Sequence, residues 1–283
     1  MSNNTNSIEV SVICNAYNHE KYIAQALESF IEQRTSFGFE VLVHDDASTD
    51  GTADIIREYE RKYPNIIKPY YQTENQYQKH VDIMRNFQYS RANGKYYALC
   101  EGDDYWTDPM KLQKQYDLME QHSEIDICSH GSVIIDAQTN EPTAKVVHIN
   151  EVGVISARDV IDGGGGFVKT NSLFFRASLL ENEPKFRTLS KLDYTLQILG
   201  ALKGGMLYLP DIMSAYRKNV STSWTKATMG DNAKKKALYK KLNAMLCQLD
   251  KDTNGKYRSV IVKHRLKNWL RIRIATLKTI VGK

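Results

Sequence analysis

The sequence predicts an α/β protein with a largely parallel, doubly wound sheet, helices on its faces and a basic helical extension at the C-terminus. Three observations lead there. β-Branched runs alternate with amphipathic helical segments through the first 122 residues, in the order that parallel sheets require. Three of those runs close on a polar or acidic cluster (Asn15–Asn18, Asp45–Asp50 and Glu101–Asp104), at the strand ends where open parallel sheets bind ligands. The charge also splits. Residues 226–283 hold 16 Lys/Arg against 3 Asp/Glu, a net of +13, while residues 1–225 hold 22 against 30, a net of −8.

The elements follow in order. Ile8–Cys14 reads as a strand, and Glu20–Gln33 carries apolar residues at helical spacing (Tyr22, Ile23, Ala26, Leu27, Phe30). Phe39–His44 is a second strand. Asp50 is placed to cap a helix over Ala53–Lys62, which stops ahead of Pro64. Ile66–Tyr71 is the third strand, with a helix around Val81–Ala92 after it. Lys95–Cys100 is the fourth, and Pro109 opens a helix over Met110–Gln121. Beyond residue 122 strands dominate (Ile125–Ser129, Ser132–Asp136, Ser172–Phe175, Ile212–Ala215), with a run of four glycines at 163–166 and a helix near Tyr194–Leu202. The organisation expected is a catalytic body over 1–225, divided into halves at 8–122 and 123–225, and a basic extension over 226–283.

Composition narrows the class. The chain has 283 residues, 42% hydrophobic and 25% charged, which is enough apolar material for a large core and excludes a disordered or collagen-like chain. No apolar run approaches the roughly 18 residues that span a bilayer. The polar start, Met1–Ser7, lacks a secretory pattern, so the expected compartment is the cytoplasm. Cys14, Cys100, Cys128 and Cys247 are isolated and show no metal-type spacing, so they read as reduced thiols.

The candidate chemistry is carboxylate chemistry. No P-loop is present, and Gly163–Gly166 is not a dinucleotide fingerprint, so a phosphorylated ligand needs another source of positive charge. Glu101-Gly102-Asp103-Asp104 puts three acids in four residues at a strand end, where they repel one another unless a cation sits among them. A hard ion such as Mg²⁺ or Mn²⁺ takes one or two carboxylates plus substrate phosphate oxygens. The competing reading is an acidic turn ahead of a helix. Asp45-Asp46-Ala47-Ser48-Thr49-Asp50 supplies one acid able to accept from a base or ribose, but its Ser, Thr and Asp are also ordinary turn residues.

Taken together, VSVICNAYNHEKYIAQALES, then EVLVHDDASTDGT, then GKYYALCEGDDYWTDPMKLQKQ resemble the family 2 glycosyltransferases, closely over residues 8–122 and more loosely over 123–225. The resemblance implies the Rossmann-like GT-A fold and transfer of a sugar, with inversion, from a nucleotide diphosphate donor (a UDP-sugar) to a saccharide or lipid-linked acceptor in surface polysaccharide biosynthesis. It implies Asn15 and Tyr17 facing the nucleotide, Asp46 on the base and Glu101 toward the ribose. Asp103 falls on the metal position, with Asp104 assigned to the metal site as the acid that follows it. Glu101 departs from the family's usual Asp. Asp193 falls at the general base, with Glu181 and Glu183 as nearby rivals. Arg217, in the Tyr216-Arg217 pair, and Arg85, beside Asn86, are candidates to meet the diphosphate. The His that often follows this pair in the family is replaced by Lys218-Asn219-Val220-Ser221. Trp106 and Trp224 read either as sugar platforms or as core.

Two other readings compete: a nucleotidyltransferase on a related sheet, and a nucleic-acid-binding protein using the +13 extension. The first lacks a Gly-rich basic loop at Asn15–His19, and the second leaves the acid clusters unexplained, so no nucleic acid partner is expected. In the extension, Leu266, Trp269, Leu270, Ile274, Leu277, Ile280 and Val281 recur at helical spacing among Arg265, Lys267, Arg271 and Lys278. That pattern predicts peripheral contact of residues 260–281 with the inner face of the cell membrane, or a basic helix packed on the body.

Overall fold

The computed structural model describes residues 7–221 and 223–281, with side chains except at 224 and 277–281. The polar start before residue 7, and the assignments to Trp224, Leu277, Lys278, Ile280 and Val281, lie outside the described residues or side chains. In chain order, β1 (Ile8–Ala16), α1 (Ile23–Ile31), β2 (Gly38–Asp45), α2 (Thr52–Lys62) and β3 (Ile67–Tyr71) lead into a π-helical turn at Met84–Gln88 and a 3₁₀ turn at Tyr89–Arg91. Then come β4 (Tyr96–Leu99), β5 (Tyr105–Trp106), α3 (Lys111–Gln121), β6 (Ile127–Asp136), β7 (Pro142–Val146), β8 (Gly153–Ile155) and α4 (Ala157–Gly163). The chain continues with β9 (Phe174–Arg176), α5 (Lys185–Leu189), α6 (Asp193–Ala201), β10 (Met206–Lys218), α7 (Trp224–Met229), α8 (Asn232–Asp252) and α9 (Arg258–Val281).

One sheet organises the molecule, with strands in the order β3-β2-β1-β4-β9-β6-β10-β5 and with β7 and β8 added beside β6 and β10. The run β3-β2-β1-β4 is parallel, as its helical crossovers require. The second half is mixed: β9 is antiparallel to both neighbours, β6 and β10 are parallel, and β5 is antiparallel to β10. The sheet is therefore less uniformly parallel than the alternation in the first half of the sequence implies. α1, α2 and α3 cover one face through a core containing Val12, Leu27, Phe30 and Leu112. The other face is covered by α4, α6, α8 and α9.

Several local departures have visible causes. The expected helix at 81–92 is instead a π turn followed by a 3₁₀ turn. The fully buried Gln88 amide reaches back to the carbonyls of Cys14 and Leu42 and to Asn15 Oδ1. Arg91 does the same to Phe87, Lys68 and Val43. These bonds anchor the turn to β1 and β2, and a π turn provides the extra residue that this alignment takes up. The two short strands expected at 125–136 are one, β6. Gly131 lets it pass close to β10, since a Cβ there would lie 2.8 Å from the Pro210 carbonyl, and Pro210 itself falls within a register shift of β10. Asp50 is not the N-cap of α2, which is Gly51; it stands one residue earlier, and its carboxylate accepts from the N–H of the first helical residue, Thr52, at 3.0 Å. Trp106 is core: it is buried edge-on to Phe30 at 4.7 Å and donates its indole N–H to the Asn171 carbonyl. Cys14, Cys100 and Cys128 are free and buried, and Cys247 is free and half-buried.

The basic extension shares the body's core. Leu242, Met245, Leu246 and Leu249 of α8, with Tyr257, Val260 and Ile261, join the same cluster as Phe175, Phe186 and Tyr208. Phe186 in α5 lies at this junction, where its backbone N–H donates to Asp252 at 2.8 Å. Phe186→Ala is expected to cost about 3–5 kcal/mol in urea unfolding. Intrinsic fluorescence and far-UV circular dichroism should follow one shared transition, because body and extension bury one core.

Candidate active site

The carboxyl ends of β1, β2 and β4 converge on one side of the sheet. After β1 the chain turns through Asn18, whose φ of +55° is left-handed, and after β2 through Ala47 at +59°. These two loops zip together. Asn18 N–H donates to Ser48 Oγ, Thr49 N–H to Asn18 Oδ1, and His19 N–H to Thr52 Oγ1. Gly102 lets the acid turn after β4 pack under this pair, because a Cβ there would sit 2.9 Å from Ile23 and 3.0 Å from His19.

Within the acid turn the three carboxylates face three ways. Asp103 is half-buried, its side chain 15% exposed, with His19 Nε2 at 4.0 Å from its carboxylate. Burial lowers the pKa of that imidazole more than Asp103 raises it, so His19 is neutral. Glu101 lies in a protein-enclosed position. Burial first, and then the charges of Asp103 and Asp193, push its carboxyl up to about 8, against a smaller opposing hydrogen bond with Asn15. Asp104 turns inward, contrary to its assignment to the metal. One oxygen accepts from the Arg217 N–H at 2.7 Å and the other from Asn171 Nδ2 at 3.1 Å. Burial and the neighbouring Asp103 raise its pKa.

Arg217 also corrects the expectation that it faces the diphosphate. It is 4% exposed, lies between the rings of Tyr22 and Tyr105 at 4.9 and 4.7 Å, and donates to the Asp103 carbonyl and to Gln25. Its guanidinium holds the acid turn from beneath. The cation that sequence reasoning missed is Lys169. It lies over the Tyr216 ring at 5.3 Å, within the field of Asp104, with its pKa lowered by burial. Its sequence neighbourhood, after four glycines, carried no charge signal.

The structure brings Asp193 to this group. It opens α6, accepts a short hydrogen bond from the Thr170 hydroxyl, and lies near enough to Glu101 to raise that carboxyl. Burial raises the pKa of Asp193, while Thr170 and Arg187 hold it down. Of its rivals, Glu181 is exposed, and Glu183 is engaged by Arg187 at 3.3 Å and by Lys191. Arg85 points the same way, to Glu183 at 3.9 Å, on the rim of a cavity of about 250 Å³ lined also by Met84, Tyr89, Arg187 and Lys191. No contact joins Arg85 to the acid turn.

Asn15 and Tyr17 stand at the end of β1. Asn15 donates to Met84 Sδ and accepts from Gln88. Asp46, expected on the base, has both carboxylate oxygens engaged by the backbone N–H groups of Gln76 and Tyr77, at 2.7 and 3.0 Å.

With this geometry in place, comparison with known proteins is decisive. The family model described as glycosyl transferase family 2 matches residues 11–220. The chain belongs to that family. An uncharacterized protein of Mycobacterium tuberculosis is 35% identical over 228 residues, covering 77% of this chain and 61% of its own length. The chain thus spans less than two thirds of that relative. The putative teichuronic acid biosynthesis glycosyltransferase TuaG of Bacillus subtilis is 35% identical over 144 residues, covering 50% of this chain and 53% of TuaG. Among solved structures, S. aureus TarS 1–349 in complex with UDP-GlcNAc superposes with a TM-score of 0.67 at 18% identity, over 92% of this chain and 72% of that one. The mannosyltransferase PcManGT of Pyrobaculum calidifontis, solved with GDP-Man and Mn²⁺, gives 0.59 at 17% identity over 98% and 76%. These likenesses establish the GT-A architecture of the family 2 chain.

Two variants test the frame of the site. Arg217→Gln is expected to lose about 3 kcal/mol in chemical denaturation, since it removes the buried guanidinium that binds the Asp103 carbonyl and Gln25 and lies beside the Asp104 carboxylate. Arg217→Lys should fall between wild type and that variant, because it keeps the charge but not the planar fork.

Proposed function

We propose that this chain transfers a sugar from a nucleoside diphosphate donor, a UDP-sugar in the first instance, to a hydroxyl of a saccharide or lipid-linked acceptor, with inversion at the anomeric carbon. The observation that carries the proposal is the approach of Asp193 to the Glu101–Asp103 turn. It sets a candidate base across from candidate donor-binding carboxylates, at the carboxyl end of the parallel strands. Relatives named for teichuronic and minor teichoic acid biosynthesis support a polysaccharide context. The UDP-GlcNAc complex of TarS and the GDP-Man, Mn²⁺ complex of PcManGT support a nucleotide-sugar donor and a divalent ion.

The donor atoms fit a hard cation shared with the ligand. The acid turn offers carboxylate oxygens, and burial first, then the neighbouring acids, already raise Glu101. Among the described residues no group of three or more His, Cys, Asp or Glu is arranged to hold an ion by itself. Asp103 would hold Mn²⁺ or Mg²⁺ jointly with the diphosphate, and the ion would supply charge neutralisation to the leaving group.

The chain's own residues account for the rest. As the acceptor oxygen attacks the anomeric carbon, the bond from that carbon to the diphosphate oxygen breaks, and the acceptor proton passes to an Asp193 carboxylate oxygen. Burial makes that carboxylate a stronger base than an exposed one, and the Thr170 hydroxyl opposes that rise and orients it. Lys169, over Tyr216 and near the acid turn, is the candidate to offset negative charge developing on the diphosphate. Arg217 and Gly102 keep the acid turn in register with β1.

Calorimetric titration with UDP, with and without Mn²⁺, tests the donor site. UDP is expected to bind only with the ion, and Asp103→Asn should remove that dependence. No nucleotide binding under any condition would overturn the reading. Asp193→Asn should lower turnover by roughly 10²–10⁴-fold while UDP affinity stays unchanged. The pH profile supplies a further check. A base with a raised pKa loses activity as pH falls through that value, so the acid limb should lie above the ordinary carboxylate range. Thr170→Val removes a hydrogen bond that favours the charged form, and should move the limb higher still.

A further inference from the structure

The outward face of α9 is apolar and about half exposed among the described residues. Val262, Leu266, Trp269, Leu270 and Ile274 recur at spacings of four, seven, eight and twelve residues, and each is between 46% and 58% exposed. The opposite face of the same helix is buried, through Val260, Ile261, His264, Asn268 and Ala275. An amphipathic helix normally turns its apolar stripe to the core. Here a second stripe runs along the solvent side of a 24-residue helix, about 36 Å long.

Charge indicates what covers it. From residue 253 to 283 the chain has nine Lys/Arg and no Asp or Glu. Arg265 and Arg273 flank the stripe, and Arg273 lies over the Trp269 ring at 4.5 Å. Long basic side chains around aliphatic and indole groups can place the stems in an apolar layer and the charges at an anionic boundary. A second copy of the chain laid face to face would set the exposed Arg265 and Arg273 against the same cations of its partner. A nucleic acid would gain nothing from the leucines. Among the described residues no helix is long and apolar enough to cross a membrane, so the contact is one of lying on the surface.

We propose that α9 docks this protein on an anionic lipid surface by its Val262–Leu266–Trp269–Leu270–Ile274 face. The inner side of the helix grips the candidate active site. His264 stacks on Tyr194 at 5.8 Å, the residue after Asp193, and Lys263 and Lys267 pair with Asp162 at the end of α4, ahead of the glycine loop. The lipid surface and the start of α6 are thus separated by one helix. This inference stands independently of the donor reading.

Vesicle flotation of the full chain tests it. The protein should float with phosphatidylcholine vesicles containing phosphatidylglycerol, stay at the bottom with phosphatidylcholine alone, and be released by high salt. Leu266→Glu/Leu270→Glu should lower partitioning by roughly a hundredfold with an unchanged circular dichroism spectrum. Arg265→Gln/Arg273→Gln should lower it about tenfold. Failure to float with anionic vesicles overturns the proposal. So does light scattering that shows a dimer of wild type and a monomer of the leucine variant, which would assign the face to a second copy. Retained flotation of a well-folded leucine variant also overturns it. UDP titration of the same samples separates this result from the fate of the donor site.

Discussion

The guanidinium of Arg217 lies where three distant parts of the chain meet: the end of β10, the acid turn after β4 and the start of α1. It binds the Asp103 carbonyl and Gln25 and sits between Tyr22 and Tyr105, while the backbone N–H of the same residue donates to Asp104. A loop of clustered acids tends to spread, because like charges in a low-dielectric setting repel strongly. One buried cation bound through planar donors counters that tendency. The direction of Asp104 is set by the backbone N–H of residue 217 and by Asn171, which draw it inward.

The second half of the site is held more lightly. Asp193 reaches the acid turn through Thr170, through the glycine loop before it, and through the packing of α6 against α4 and α9. Gly164 has a left-handed φ of +75° and faces His264 of α9. The segment that places the candidate base is therefore sandwiched between the sheet and the C-terminal helices. The basic extension is consequently part of the scaffold of the site, as its shared core with Phe186 and Tyr208 indicates.

Much of the first half was legible in the sequence because local signals agreed there. β-Branched runs, helical periodicity, the helix start near Asp50 and the strand-end acid clusters all pointed to the same sheet, and Glu101, Asp103 and Asp193 do converge. What the sequence hid was orientation. Nothing in Glu101-Gly102-Asp103-Asp104 distinguishes the acid that faces inward from the one that faces out, since that depends on Arg217, more than a hundred residues later. The π turn was hidden for a similar reason, because it depends on Gln88 finding carbonyls of β1 and β2. Short strands such as β7 and β8 carry too few residues for a pattern, and α8 mixes core and surface positions in a lysine-rich context.

Asp46 illustrates how a polar site can be occupied before any ligand arrives. Its two oxygens are already satisfied by the amides of Gln76 and Tyr77. Each oxygen has a second lone pair, so a nucleobase that used this carboxylate would add its donor beside the backbone's rather than replace it. Selectivity between bases would then depend on which of them reaches the remaining lone pairs without moving the 72–80 segment.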